Sequence, residues 1–209
     1  MCLPPAAPNN DRVIAYLTGR GIDRDILDYC IQAGYIYQSA DHNNCVFVGK
    51  DKAGQTRYAA LRGAGSNFKG EARGSDKRYS FSMPAHGESE RLCLFESAID
   101  TLSYATLLKM HGRDWRQTHL LSLAGVGSNT RLPPALARYL EDYPSIERID
   151  LHLDNDLAGV TAMRNLLMLL SDDFEVRNRS PPTGKDFNEY LCRRLGLIER
   201  RNDRDVRAC

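Results

Sequence analysis

Between Arg91 and Leu195, short apolar runs alternate with longer amphipathic stretches, and this alternation constrains the fold more than any other feature. Leu92-Cys93-Leu94-Phe95 has the length and apolarity of a strand buried on both faces, and Ala98 to Met110 has helical spacing. The pattern recurs in His119 to Leu123 followed by Pro133 to Tyr143, in Ile149 to Leu153 followed by Ala158 to Leu170, and in Phe174 to Arg177 followed by Phe187 to Leu195. Successive strand–helix units predict an α/β domain whose mostly parallel sheet is covered by helices on both faces. Ligands of such sheets sit at the carboxyl ends of the strands, so polar residues there are the first candidates for chemistry.

The first part of the chain reads differently. After a Pro/Asn-rich leader to about Asn10, the apolar positions Val13, Ile14, Leu17, Ile22, Ile26, Leu27 and Ile31 predict two helices broken at Gly19-Arg20-Gly21. Cys45 to Gly49 and Gln55 to Leu61 flank the turn sequence Asp51-Lys52-Ala53-Gly54 and predict two antiparallel strands. Gly63 to Pro84 is rich in glycine, serine and basic residues and reads as a loop-rich surface. The expected organisation is a leader (1–10), a smaller α+β domain (11–88), the α/β domain (89–197) and a basic tail (198–209).

Composition excludes several classes. Hydrophobic residues make up 42% and charged ones 26% of the 209 residues, which excludes a disordered or fibrous chain. No apolar run approaches the ~20 residues of a membrane span, and Met1-Cys2-Leu3-Pro4-Pro5 does not read as a secretory signal; a cytoplasmic protein with no membrane partner is expected. The six cysteines form no C-x-x-C pair, so neither a zinc ribbon nor any bound zinc nor a disulfide scaffold is expected. Net charge is only +1, so a nucleic-acid partner would have to be met by local charge. Lys50 to Arg78 supplies it, with eight basic residues against three acidic ones. Among them Arg62, Lys69, Arg73, Lys77 and Arg78 are candidates for holding a phosphate backbone.

Acidic residues recur where the strands of the α/β domain end. Glu96 follows the first strand, with Asp100 one helical turn on; Asp154 and Asp156 close the third; Asp186 opens the last helix after Gly184-Lys185. Carboxylates gathered in one place repel, and the economical reason for gathering them is a hard divalent cation. Magnesium takes a few carboxylates together with waters and phosphate oxygens, so the natural substrate is a phosphodiester or nucleotide, with manganese as an alternative ion.

The motifs carry a family resemblance. Leu92 to Leu102, a strand ending in Glu96 with Asp100 four residues on, resembles the first Toprim motif. Leu153-Asp154-Asn155-Asp156-Leu157-Ala158-Gly159 resembles the second, and Gly184-Lys185-Asp186 is similar to the Lys-Asp segment of bacterial primases. Gly21-Ile22, the Val46 to Leu61 hairpin and Gly74 to Tyr79 resemble the primase segment that precedes Toprim, and residues 10 to 196 as a whole resemble small Toprim proteins of bacterial mobile elements. The resemblance implies a Rossmann-like Toprim domain behind a primase-like N-terminal segment. It also implies a magnesium site at Glu96, Asp100, Asp154, Asp156 and Asp186, with Glu96, Asp154 and Asp156 catalytic and Lys185 on phosphate. Nucleotidyl transfer on single-stranded DNA, in concert with replication or mobilisation proteins, would follow. Two departures stand out: Asn188 replaces an aspartate usual in primases, and no zinc ribbon is present.

Other readings compete. Asp186 with Glu189 has the spacing of a helix capping box, and Asp154-Asn155-Asp156 is a good turn sequence. Gly125-Val126-Gly127 is too short a signal for a phosphate loop. The five histidines show no metal-ligand spacing, and His152 reads as a packed core residue; the arginine-rich end from Arg193 to Arg207 reads as a solvated tail. A Toprim phosphodiesterase or nuclease and a non-catalytic nucleic-acid-binding accessory are the alternatives to nucleotidyl transfer.

Overall fold

The computed structural model describes residues 1–126 and 131–198; Gly127 and the tail from 199 onward lie outside the described residues. Two helices open the chain, α1 (Asp11–Gly19) and α2 (Arg24–Gln32), followed by β1 (Ile36–Gln38), β2 (Cys45–Lys50), β3 (Thr56–Arg62) and β4 (Lys69–Glu71). These strands form an antiparallel sheet in the order β1-β2-β3-β4. The sequence pattern identified only its central pair. β1 and β4 are three residues long, too short to show an alternation, and β4 lies in the glycine-rich stretch read as loop.

The second sheet contains β5 (Ser82–Met83), β6 (Arg91–Phe95), β7 (His119–Ser122), β8 (Arg148–His152) and β9 (Glu175–Asn178), in the order β5-β7-β6-β8-β9. β7, β6, β8 and β9 run parallel and only β5 is antiparallel. Helices α3 (Ala98–Met110), α4 (Pro134–Asp142), α5 (Leu157–Leu170) and α6 (Phe187–Arg194) join and cover it. This is the expected α/β class with a mostly parallel sheet. Among the described residues no helix is long and apolar enough to cross a membrane.

Strand alternation explains how both faces are buried. Leu92 and Leu94 of β6 pack with Ile149, Leu151, Leu136 and Leu166 on the side of α4 and α5, while Cys93 and Phe95 turn to the opposite face. That second face is shared: Val13, Leu17, Ile26 and Leu27 of the first two helices and Phe47 of the antiparallel sheet belong to the same cluster as Phe95, Leu102 and Leu191. Two contacts fix the halves further. Gly49 of β2 lies so close to the chain leading into β5 that an added Cβ would stand 1.6 Å from the Tyr79 carbonyl oxygen. Asn188 of α6 donates to the Arg20 carbonyl (3.0 Å) and to the Ser103 hydroxyl (3.1 Å), and its Oδ1 accepts from the Arg20 guanidinium (2.8 Å).

Because the core is common to both sheets, Leu102→Ala should destabilise the whole chain by about 2–5 kcal/mol. Urea unfolding should remain one transition. Far-UV circular dichroism and the fluorescence of Trp115, whose ring meets Tyr29 of α2 at 5.0 Å between centroids, should report the same midpoint; two separated midpoints would show independent halves.

Candidate metal and phosphate cleft

A cleft of about 660 Å³ lies between the two sheets. On the α/β side it is lined by Glu96, Asp100, Asp154, Asp156, Lys185 and Asp186, and on the other by Phe47, Tyr58, Arg62, Lys69 and Glu71. The parallel pairing of β6 with β8 sets Phe95 opposite His152, so the residues just beyond both strand ends emerge together. Glu96 Oε1 accepts the Asp154 backbone N–H at 3.1 Å. The approach also explains Gly159 at the start of α5: a Cβ there would stand 2.3 Å from the Asp154 carbonyl oxygen and 2.7 Å from Glu96 Oε1.

Each carboxylate has a distinct setting. Asp156 caps α5 by accepting the Gly159 N–H (3.0 Å) and lies 3.1 Å from Lys185 Nζ; these donors hold its pKa below the ordinary carboxylate value. Asp154 has no such cap. Burial, then the neighbouring charges of Glu96, Asp100 and Asp186, pushes it up to about 8, with Lys185 at 3.9 Å opposing. Burial also raises Glu96. Asp100, 6% exposed, is pushed up to about 6 by burial and by Asp186, although Ser97 Oγ (2.5 Å) and the Asn188 N–H (3.1 Å) donate to its two oxygens. Asp186 caps α6 through the Glu189 N–H at 2.7 Å, which is the capping geometry, while still lining the cleft. Asn155 locks the two acidic loops together: its N–H donates to the Lys185 carbonyl (2.7 Å) and its amide to those of Pro181 and Gly184 (both 2.9 Å).

The basic residues divide. Arg62 and Lys69 are direct cross-strand partners on β3 and β4 and line the cleft with Lys185. Two like charges opposite each other destabilise a sheet unless an anion joins them. Arg73, Lys77 and Arg78 do not line the cleft; Lys77 pairs with Glu71 (2.9 Å) and Arg78 with Asp76 (2.7 Å). Tyr58, whose hydroxyl donates to Glu71 at 3.1 Å, was not singled out from sequence, although it lies four residues before Arg62 on the same strand face. Ala124 and Gly125 line the cleft beside Glu96, with the Gly125 N–H on the Glu96 carbonyl at 2.9 Å and both residues at positive φ; Gly127 lies outside the described residues. Asn188, at the position of the usual primase aspartate, is not in the cleft lining; its side chain is committed to Arg20 and Ser103.

The site thus combines carboxylates at the ends of adjacent parallel strands with a facing antiparallel sheet that carries the Arg62–Lys69 pair. Residues 93–191 match the family model described as Toprim-like, and residues 15–87 match one described as a protein of unknown function, DUF3991. Residues 93–191 thus form a Toprim-like domain, preceded by a domain of that family of unknown function. An uncharacterized protein of Bacillus anthracis is 30% identical over 75% of this chain, which spans 47% of that relative's length. The primase fragment of the bacteriophage T7 primase-helicase protein superposes with a TM-score of 0.60 at 24% identity, over 90% of this chain and 71% of the fragment. A DnaG primase catalytic domain bound to single-stranded DNA gives 0.55 at 16%, over 89% and 68%. These likenesses establish a primase-core fold.

The raised Asp154 pKa has a consequence for stability. Its folded carboxyl holds a proton more tightly than the unfolded one, so its contribution is present at low pH and is lost as pH rises from about 4 through about 8. Without divalent cation, Asp154→Asn should therefore gain more in thermal midpoint relative to wild type at pH 8 than at pH 5. A difference that ignores pH would contradict the electrostatic reading.

Proposed function

We propose that this protein is a magnesium-dependent enzyme of the Toprim primase-like class that transfers nucleotides on single-stranded DNA. The observation that carries the reading is the cleft itself, where carboxylates of one domain face the Arg62–Lys69 pair of the other. The donor set fits a hard cation: all ligand atoms on offer are carboxylate oxygens, and Asp154 is held in a state that a positive charge would relieve. Glu96, Asp154 and Asp156 would hold the ion, with Asp100 and Asp186 at its margin and manganese able to replace magnesium. Bound there, the ion supplies polarisation of a phosphoryl oxygen and neutralisation of charge on the leaving oxygen.

The chain's own residues would do the rest. Arg62, Lys69 and Lys185 would hold phosphates across the cleft, and Arg73, Lys77 and Arg78 would meet the strand outside it. As the alternative to holding the ion, Glu96, its pKa raised by burial, would take the proton from the attacking hydroxyl. Support for the substrate comes from the structural neighbours, described as a primase fragment and as a primase domain bound to single-stranded DNA. A role in replication or transfer of a plasmid or other mobile element, with nucleotides and replication or mobilisation proteins as partners, follows from the same reading.

The test is nucleotide incorporation and strand cleavage on single-stranded DNA with magnesium or manganese. Wild type should extend, and Asp154→Asn with Asp156→Asn should lower product by about two to three orders of magnitude. Cleavage in place of extension would assign a phosphodiesterase; absence of both, with DNA binding intact, would assign a non-catalytic accessory. Arg62→Ala with Lys69→Ala should weaken DNA binding and reduce the salt-dependence slope by about 1.4, the value for two phosphate contacts on a single strand.

A further inference from the structure

Beneath the cleft, on the face of the sheet covered by α3 and α6, three residues of different chemistry meet. The β6–β8 register sets Cys93 opposite Asp150, and His152 follows two residues along on the same face. One ligand atom from each residue lies within 4.8 Å of the other two. Cys93 is 0%, Asp150 1% and His152 3% exposed. Arg91 holds Asp150 Oδ2 at 2.6 Å, but Asp150 Oδ1 makes no hydrogen bond among the described residues, and of the two buried ring nitrogens of His152 only one is within reach of a partner, the Arg179 main chain. Buried polar atoms are normally paired, and leaving one unpaired costs about 1–3 kcal/mol; here Asp150 Oδ1 and a His152 ring nitrogen occur together.

We propose that Cys93, Asp150 and His152 form a binding site for a soft divalent metal ion, zinc foremost, separate from the carboxylates of the cleft. Thiolate and imidazole select zinc over magnesium, and Cys, His and carboxylate are its usual ligands. Supporting groups are in place. Arg91 orients Asp150 from behind, the Tyr104 hydroxyl bonds the Cys93 side chain, and the Arg179 main chain hydrogen-bonds the His152 ring; such outer contacts fix ligand orientation in metal sites. A neutral imidazole offers a nitrogen lone pair to a metal. The thiol, pushed up to about 12 by burial, would release its proton to solvent as the cation binds. A groove of about 390 Å³, lined by Tyr104, Arg113 and Arg179 among others, reaches His152.

Packing accounts for only part of the arrangement. The His152 ring stacks on Phe95 (5.0 Å, 16°) and touches Tyr104 (4.3 Å), which explains an aromatic ring at this position and leaves a ring nitrogen without a role. A metal there would clamp β6 to β8 directly below the turn that carries Asp154 and Asp156.

The experiment is a cobalt(II) titration of the purified, metal-stripped chain, read by absorption. One equivalent should produce the near-ultraviolet thiolate-to-cobalt band with tetrahedral visible bands, and zinc should displace them. Cys93→Ser and His152→Phe, the latter keeping an aromatic ring against Phe95, should each abolish the thiolate band. Asp154→Asn with Asp156→Asn should retain it, so the result is independent of the cleft's activity. Folding of each variant is checked by circular dichroism. No thiolate band in wild type, or a band that survives in a folded Cys93→Ser or His152→Phe chain, would overturn the proposal.

Discussion

The parallel pairing of β6 with β8 is the constraint on which the candidate site depends. It ends two adjacent strands at the same level, so that Glu96 and Asp154 leave the sheet side by side and the Asp154 N–H reaches Glu96 Oε1. The helices that follow are capped by the turn itself, α3 by Ser97 and α5 by Asp156, which fixes the direction of both chains as they leave the sheet. Carboxylates are thereby buried and concentrated, and the raised pKa values of Asp154, Asp100 and Glu96 express the cost, burial first and the neighbouring charges second. A structure that maintains such a concentration is disposed to receive a cation and the phosphates that accompany it.

The opposing wall of the cleft depends on how the antiparallel sheet is attached. A common apolar cluster, the close backbone contact at Gly49 and the Asn188–Arg20 bonds hold it against the α/β domain. Asn188 bears on the comparison with primases. An aspartate there would lose the amide that donates to Arg20 and Ser103, so in this chain the position serves attachment of the N-terminal helices. Removing one acidic group from the neighbourhood of Asp100 and Asp186 also limits the charge that the cleft must balance.

Much of this was legible in the sequence because the informative residues follow regular periods. The apolar runs of β6 and β8 announced strands, the spacing from Ala98 to Met110 announced α3, and Glu96, Asp154 and Asp156 stood where those strands ended. What was not legible lies across the chain rather than along it. β1 and β4 are too short to alternate, yet β4 provides Lys69 opposite Arg62. Arg73, Lys77 and Arg78 belong to the same basic stretch in sequence but stand outside the cleft, because strand direction and local acids decide where each charge points. The Cys93–Asp150–His152 cluster was hidden for the same reason: metal-ligand spacing is sought within one segment, whereas these residues meet through strand register.

The central claim is that the carboxylates of the cleft gather a divalent cation opposite the basic pair. Manganese titration of isotopically labelled protein, followed by paramagnetic broadening of backbone amide signals, addresses it directly. Broadening at substoichiometric manganese should begin at Ser97, Asp154 to Gly159 and Asp186, and spread next to Arg62 and Lys69 across the cleft. Broadening that instead starts at exposed acids away from it, such as Asp172 and Asp173, or that is absent at equimolar metal, would contradict the account.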